Sequence, residues 1–271
     1  MKISDKDISE MVEKYKKKTK KKCYEMQLFE EEYEGELKIL DDKLGGRPYL
    51  PVGEKYPVDK RGNPMPLLLQ INLKNVNLKN YPKQGILEVF TNIEYPMEYQ
   101  VKLFEEGLEY QTEFPETKAY YNGEEFEYFV KKPLFVKLRE TTMHMPTTNY
   151  KSMKIGKKIF IEQFENKVSK EELDDFLKNK FRDFWDDKLD DEIDKHLDYY
   201  WFNFGGYPNF SQYDARLDLR PRKDECVFSF DPIGYEDYVE IGDSGTMWGF
   251  MTKEDLKNGK FENMFVDYDC C

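Results

Sequence analysis

The stretch Gly45-Gly46-Arg47-Pro48 returns 160 residues later as Gly205-Gly206-Tyr207-Pro208, and this recurrence decides the predicted fold. The same offset relates two further pairs, Gly85 with Gly245 and Phe90 with Phe250. Paired glycines favour a tight turn because glycine adopts positive φ without a steric penalty, and the proline holds the preceding residue extended. We therefore predict a duplicated unit: a Gly-Gly turn, a buried strand, and a second strand that begins at a glycine.

Two apolar runs supply the buried strands of these units. Residues 66–73 read Pro-Leu-Leu-Leu-Gln-Ile-Asn-Leu, and residues 226–233 occupy the corresponding place in the second unit. Residues 85–90 and 245–251 follow as the next strands. A strand that is apolar on both faces is typical of a sheet that is covered on both sides. The pattern predicts that loops or helices cover each sheet face.

Helical patterns precede and separate the two units. Ser4 and Asp7 form a predicted capping box at the start of an N-terminal helix. A second capping box, Ser169 with Glu172, opens an apolar stripe that predicts a helical connector over about 169–200. The predicted class is α+β: β-rich mixed or antiparallel sheets with internal duplication, in one domain spanning residues 1–271. Its two repeats cover about 25–140 and 200–271, with the helical connector between them.

Composition excludes several function classes. Aromatic residues make up 16% of the chain, which is ample material for a folded core. The formal net charge of −12 argues against nucleic-acid binding, because phosphates are bound by a basic face. No run of about 20 apolar residues occurs, so we expect no membrane role. The four cysteines show neither a disulfide framework nor zinc spacing, and we expect a cytoplasmic protein.

The sequence predicts no catalytic residues, no metal site and no cofactor. Of the two histidines, His196 lies on the apolar stripe of the predicted connector and is interpreted as a core residue. The aspartates at positions 187, 191 and 194 share one helical face, which we interpret as a solvated face rather than a cation site. Neither phosphate-binding pattern, GxGxxG or GxxxxGK[ST], is present.

Polar and aromatic residues beside the two turns remain as candidates for binding. In a duplicated fold the turns can face each other and line a cleft, although these side chains can equally serve to hold the turns against the sheets. Gln70 is notable because a buried amide needs hydrogen-bond partners. The predicted binding residues are Arg47, Tyr49, Gln70, Gln212, Asp243 and Trp248.

These stretches resemble the YwqG-like family of bacterial proteins. The resemblance rests on residues 45–51, 66–73 and 85–90 in the first half. In the second half it rests on the Gly205-Gly206-Tyr207-Pro208 turn, Gln212 and Gly242-Asp243-Ser244-Gly245. The second buried strand, 226–231, lacks the glutamines usual in that family. The resemblance implies a mixed α+β fold with internal duplication and leaves the activity open. Because some members resemble genes near bacterial toxin systems, it also implies an immunity-like role.

We expect a binding protein rather than an enzyme. The acidic composition favours a basic protein partner, bound through the charged surface. The alternative is a small-ligand binder or an enzyme whose cleft lies between the two repeats.

Overall fold

In the computed structural model the chain builds a ten-stranded antiparallel sheet with helices packed against it, which makes the fold α+β. The structure describes residues 2–30, 37–92, 97–121, 124–126 and 128–270. The strands in chain order are β1 Lys21–Phe29, β2 Lys43–Leu44, β3 Leu67–Asn72, β4 Ile86–Thr91, β5 Tyr99–Phe104, β6 Ala119–Tyr121, β7 Glu124–Phe126, β8 Leu134–Met143, β9 Phe202–Gly205, β10 Glu225–Phe230, β11 Thr246–Met251 and β12 Phe265–Asp269. Strands β6 and β7 form a separate hairpin.

The order of the strands across the sheet is β12-β11-β10-β9-β1-β8-β2-β3-β4-β5. The long pair β1 and β8 lies at the centre and runs from Lys21 opposite Met143 to Phe29 opposite Phe135. The two edge strands approach each other, since β5 contacts the 3₁₀ helix Phe261–Asn263 that precedes β12. The Tyr99 hydroxyl also bonds to the backbone of Val266 in β12. The sheet therefore curves into a nearly closed barrel.

The helices are α1 Asp5–Thr19, α2 Ser152–Phe164, α3 Lys170–Asn179, α4 Phe181–Phe184, α5 Asp190–Asp194 and α6 Lys253–Lys257, with a π-helical turn, Trp185–Leu189, between α4 and α5. The capping box of α1 is confirmed, because Ser4 and Asp7 bond each other's backbone N–H groups. Among these described helices, none is both long enough and apolar enough to cross a membrane.

The described residues form two large buried cores and two small ones; the small ones, which include Leu67 with Phe90 and Trp248 with Phe250, account for the apolar residues on the other face of β3–β4 and of β10–β11. The larger core fills the interior of the curved sheet and includes Leu69, Val89 and Phe228. The second core joins α1 to helices α2–α5, where the Phe160 ring stacks on Phe176 at 4.9 Å and 5°. All six residues of β3 and all six of β4 are buried, as the two-sided apolar pattern predicts.

The helical region is longer and more broken than the predicted connector at 169–200. It begins at Ser152, within residues 141–155, which the sequence pattern predicts to be a loop, and its helices end at Asp194. The Ser169 cap is confirmed, but α3 stops at Asn179 and the chain restarts at Phe181. The interruption turns Phe181, Phe184 and Trp185 toward the helical core. The sequence also predicts a last strand over Phe261–Tyr268. In the structure this strand, β12, begins only at Phe265, because residues 261–263 form a 3₁₀ turn before it.

Candidate functional site

A row of polar side chains crosses three strands beneath the first Gly-Gly turn. Register places Lys43 of β2 opposite Gln70 of β3, and Gln70 opposite Glu88 of β4. All three residues are buried, with Glu88 and Gln70 fully enclosed. The backbone N–H of Tyr49 donates to Gln70 Oε1 at 2.8 Å and to Glu88 Oε1 at 2.6 Å. These two hydrogen bonds therefore hold in place the backbone that follows the turn.

The remaining donors of this row hold the segment that precedes β2. The Gln70 amide donates to the carbonyls of Ile39 and Asp41 at 2.7 and 2.9 Å. Lys43 Nζ donates to the carbonyls of Lys38 and Ile39 at 3.0 and 2.8 Å. Buried polar groups require such partners, because an unpaired one costs about 1–3 kcal/mol. These side chains therefore act as internal ties.

Glu88 is the electrostatically unusual member of the row. Its Oε2 atom is buried without a hydrogen-bond partner in the described part of the chain. Burial raises the pKa of Glu88 well above its ordinary value, against the opposing effects of the Tyr49 N–H and the Lys43 charge. Burial likewise lowers the pKa of Lys43 to about 8. Desolvation disfavours the charged forms of both residues, so it favours the neutral carboxylic acid at Glu88.

The outer side of the same turn borders a cleft of about 730 Å³, which we call the Arg47 cleft. Its walls are aromatic and proline side chains, and its described lining includes Arg47, Pro48, Tyr56, Phe114, Tyr128, Lys131, Lys132 and Pro133. Gly45 must lack a side chain here, because it has φ of +67° and a Cβ would lie 3.0 Å from Val130 Cγ1. The turn therefore strongly favours glycine at this position, and Arg47 follows it at the rim of the cleft.

The cations of the Arg47 cleft differ in their partners. Lys131 bonds to Glu240 at 2.5 Å, and Lys132 bonds to Glu30 at 2.6 Å. Arg47 is exposed and makes no hydrogen bond or ion pair with the described residues. An arginine fork presents five N–H donors, which match the oxygens of a carboxylate or phosphate. The guanidinium of Arg47 is therefore available to a ligand.

A hydrogen bond of the same kind holds the chain after the second Gly-Gly turn. The backbone N–H of Asn209 donates to Ser229 Oγ at 3.1 Å, as that of Tyr49 does to Gln70. In the sheet Ser229 of β10 lies opposite Asn203 of β9 on one side and Trp248 of β11 on the other. These two neighbours are 160 residues after Lys43 and Glu88, the neighbours of Gln70. Here, however, the Tyr207 hydroxyl donates to the carbonyl of Thr19 at the end of α1, 2.7 Å away. The second turn therefore packs against helix α1, whereas the first turn borders the open Arg47 cleft.

One sequence comparison identifies a family for the chain. Residues 42–270 match the family described as "Domain of unknown function (DUF1963)". The chain belongs to this family. No curated protein matches it. The match extends from β2 to the end of β12, so the family region contains both Gly-Gly turns and most of the sheet.

Within this DUF1963 domain the six predicted binding residues fall into separate groups. Tyr49 and Gln70 contact each other, and Arg47 lies close by on the cleft side of the turn. Trp248 is buried in β11, which is separated from the β3 strand of Gln70 by five strands. Gln212 and Asp243 lie in loops near the end of β12, where the Gln212 backbone N–H donates to Asp269 Oδ2 at 3.0 Å.

These environments indicate different roles for the six residues. Tyr49, Gln70 and Trp248 are buried and hold the structure together; Trp248 stacks on Phe250 with ring centroids 5.5 Å apart. Asp243 is exposed on the turn before β11. Arg47 is the member that combines exposure with a cleft. The described part of the chain shows no group of three or more His, Cys, Asp or Glu side chains arranged to hold a metal ion.

Sequence reasoning missed Glu88 and Lys43, although Glu88 left a signal. It is the one charged residue in the run Gly85-Ile86-Leu87-Glu88-Val89-Phe90, whose other side chains are apolar, and burial of such a residue requires partners. The interpretation of His196 as a core residue was wrong. Its side chain is 49% exposed, because the helical region ends just before it at Asp194.

Proposed function

We propose that this chain is a cytosolic binding protein whose ligand occupies the Arg47 cleft. The observation that carries the proposal is the exposed guanidinium of Arg47, without a partner among the described residues, at the rim of an aromatic and proline-walled cleft. Binding sites of this size are mostly apolar, with a few polar groups that orient the ligand. An acidic group would bond to Arg47 while a flat apolar group rests between Tyr56, Phe114 and Tyr128.

The charges around the cleft narrow the ligand class. Glu113 and Glu116 also line the cleft and are exposed, without ion pairs among the described residues. They would repel a ligand with several negative charges and attract an ammonium group. The preferred ligand is therefore a monoanion or a zwitterion with an aromatic or other flat apolar part, such as an amino-acid-like molecule.

Three related probes test this assignment: N-acetylphenylalanine, phenylalanine and phenylalaninamide. They share one apolar group and carry an anionic, a zwitterionic and a cationic end. Saturation-transfer NMR should detect the first two and give little signal for the amide. Arg47→Gln should weaken binding of N-acetylphenylalanine about tenfold or more, since a hydrogen bond to a charged group contributes about 1.5–3 kcal/mol.

Arg182→Gln is the matched control, because Arg182 is 84% exposed and lies on α4, away from the cleft. Equal signals from all three probes, or equal binding by the Arg47→Gln and Arg182→Gln variants, would refute the cleft assignment.

A second candidate function is recognition of a basic protein, including an immunity-like partner. Residues 165–200 contain thirteen acidic and seven basic residues, so this segment carries −6 of the net −12. Its helices and the start of α1 border a groove of about 780 Å³, which Asp183, Asp187 and Asp191 line. The three aspartates are exposed. Four lysines, Lys2, Lys180, Lys188 and Lys195, also line the groove, so the acidic excess of the whole segment is what would favour a cationic partner and accelerate its association at low salt.

Charge removal tests the second candidate. The variant in which Asp183, Asp187 and Asp191 become Asn should lose a partner that co-purifies at low salt and dissociates as salt rises. The control replaces Glu54, Glu105 and Glu109 by Gln, which removes the same number of exposed charges elsewhere. Retention of the partner by the aspartate variant, or equal loss in both variants, would exclude this face.

We further propose that the domain arose by internal duplication, as in the YwqG-like proteins that it resembles. The strand order supports this, because β2–β5 and β9–β12 flank the central pair in mirror order. Tyr56 packs on Phe90 at 5.9 Å, and Arg216, 160 residues later, packs on Phe250 at 5.3 Å. In an experimental structure, superposing β2–β5 on β9–β12 should bring Arg47 onto Tyr207. Any other residue match would argue against duplication.

A further inference from the structure

A third concave site lies between α2 and the segment before β10. This groove has a volume of about 550 Å³, and we call it the Tyr150 groove. It is lined by Tyr150, Lys151, Lys154, Ile155, Lys158, Arg222 and Asp224. Four of these seven residues are cationic and one is anionic. That excess of positive charge is unexpected in a chain with a net charge of −12.

The single carboxylate of the groove is already neutralised. Asp224 accepts a hydrogen bond from the Tyr150 hydroxyl at 2.5 Å and pairs with Lys151 at 2.9 Å. Lys154, Lys158 and Arg222 make no ion pair with the described residues, although acidic residues outnumber basic ones in the whole chain. Three like charges therefore line one groove without internal compensation.

The floor of the groove is held in place by buried contacts. The backbone N–H of Tyr150 donates to Asp214 Oδ2 at 3.1 Å. The Tyr150 ring lies between two guanidinium groups, with Arg222 at 4.7 Å and the buried Arg216 at 5.3 Å. Lys154 and Lys158 are one turn apart on α2 and so lie on the same helix face. Arg222 packs on the Tyr150 ring and lines the same groove as both lysines.

We propose that the Tyr150 groove binds a small ligand that carries two or more phosphoryl groups. Three uncompensated cations match such a ligand, because one phosphate carries about −1.5 to −2 at pH 7. Arginine binds phosphate oxygens through its planar fork, and lysine adds point charges. A long polyanion is disfavoured because the remaining surface of the protein is acidic, whereas a small ligand interacts within the screening length of about 8–10 Å.

Inorganic pyrophosphate is the probe, and calorimetry of the full chain at low and at physiological salt is the measurement. We expect binding that weakens with salt and that exceeds binding of inorganic phosphate. Lys158→Gln and Arg222→Gln should each weaken it about tenfold. Lys157→Gln is the matched control, since Lys157 is exposed on the same helix but does not line the groove.

Each outcome decides the proposal. Loss of pyrophosphate binding in Lys158→Gln and Arg222→Gln, with binding kept in Lys157→Gln and in Arg47→Gln, supports it and separates this site from the Arg47 cleft. No binding at low salt, or equal weakening in all four variants, overturns it. Citrate binding as tightly as pyrophosphate would also overturn the phosphoryl assignment in favour of carboxylates, including acidic peptides. Unchanged thermal unfolding of each variant excludes loss of folding as the cause.

Discussion

The Oε1 atom of Glu88 accepts a hydrogen bond from the backbone N–H of Tyr49 across 2.6 Å, at a point where no part of Glu88 is exposed to solvent. This contact ties the loop that follows the first Gly-Gly turn to the centre of β4. Arg47 lies only two residues before Tyr49. The hydrogen bond from Tyr49 to Glu88 therefore also helps to set the position of the Arg47 guanidinium at the rim of the cleft.

The first prediction concerns the pH dependence of stability. The pKa of Glu88 is raised in the folded state, so between the unfolded value of 4.5 and the folded pKa only the unfolded chain loses the proton. The free energy of unfolding of the wild type should therefore fall as pH rises through this window, by at most about 1.4 kcal/mol per pH unit. Glu88→Gln removes this dependence and keeps an acceptor for the Tyr49 N–H.

Urea unfolding of both proteins at pH 5, 6, 7 and 8 measures the difference. Asp42, whose pKa burial raises to about 6, titrates in both proteins and cancels in the comparison. We expect the free energy of unfolding of Glu88→Gln, relative to that of the wild type, to increase with pH. An advantage that stays constant from pH 5 to 8 would show that Glu88 ionises as readily in the folded protein as in the unfolded chain.

The second prediction concerns the ion pair between Asp214 and Arg216. Arg216 Nη2 lies 2.6 Å from Asp214 Oδ2, and the side chains are only 3% and 2% exposed. Asp214→Asn leaves a buried arginine charge without its counter-ion, so it should lower the free energy of unfolding by about 3–5 kcal/mol. Asp186→Asn is the control, because Asp186 pairs with Arg182 at 3.7 Å on the surface. That change should cost less than about 1 kcal/mol, and similar costs would contradict the prediction.

The third prediction concerns the contact of Gly156 in α2 with Trp185. A Cβ at position 156 would lie 1.9 Å from Cζ3 of the Trp185 ring. Gly156→Ala should therefore destabilise the protein by about 1–3 kcal/mol, although alanine ordinarily stabilises a helix by about 1 kcal/mol over glycine. Denaturant unfolding should show the cost disappearing in a Trp185→Phe background, because the smaller ring leaves room. An equal cost in both backgrounds would rule out the steric cause.

The fourth prediction compares two glycines that have positive φ. Gly206 in the second turn has φ of +77°, and a Cβ there would lie 2.7 Å from Met143 Sδ and 2.9 Å from Cys23 Cβ. Gly53 has φ of +91° with no atom within 4 Å of its Cβ position. Gly53→Ala should cost about 1–2 kcal/mol for the backbone alone. Gly206→Ala should cost about 1–3 kcal/mol more. Equal thermal shifts would mean that the second turn tolerates a side chain.

The elements that were predicted correctly are those whose signal is local. The Ser4–Asp7 capping box and the Ser169 cap of α3 lie within a few residues of the helices they start. The strands at 85–90 and 245–251 are mostly apolar runs, and the structure has them as β4 and β11. The start of α2 was missed because Lys151 provides no side-chain cap, so the helix has no polar start signal.

The sequence by itself determined the α+β class and the positions of the Gly-Gly turns, because turns, caps and apolar runs are set by neighbouring residues. Only the tertiary structure decided which of the six predicted residues share a site. Strand order separates Gln70 from Trp248 and brings Lys43, distant in sequence from Glu88, into the same buried row. Long-range pairing of strands sets these distances, and burial then sets the pKa of Glu88. Neither the strand pairing nor the raised pKa can be predicted from neighbouring residues. The one local sign is a single charged residue, Glu88, in an otherwise apolar strand.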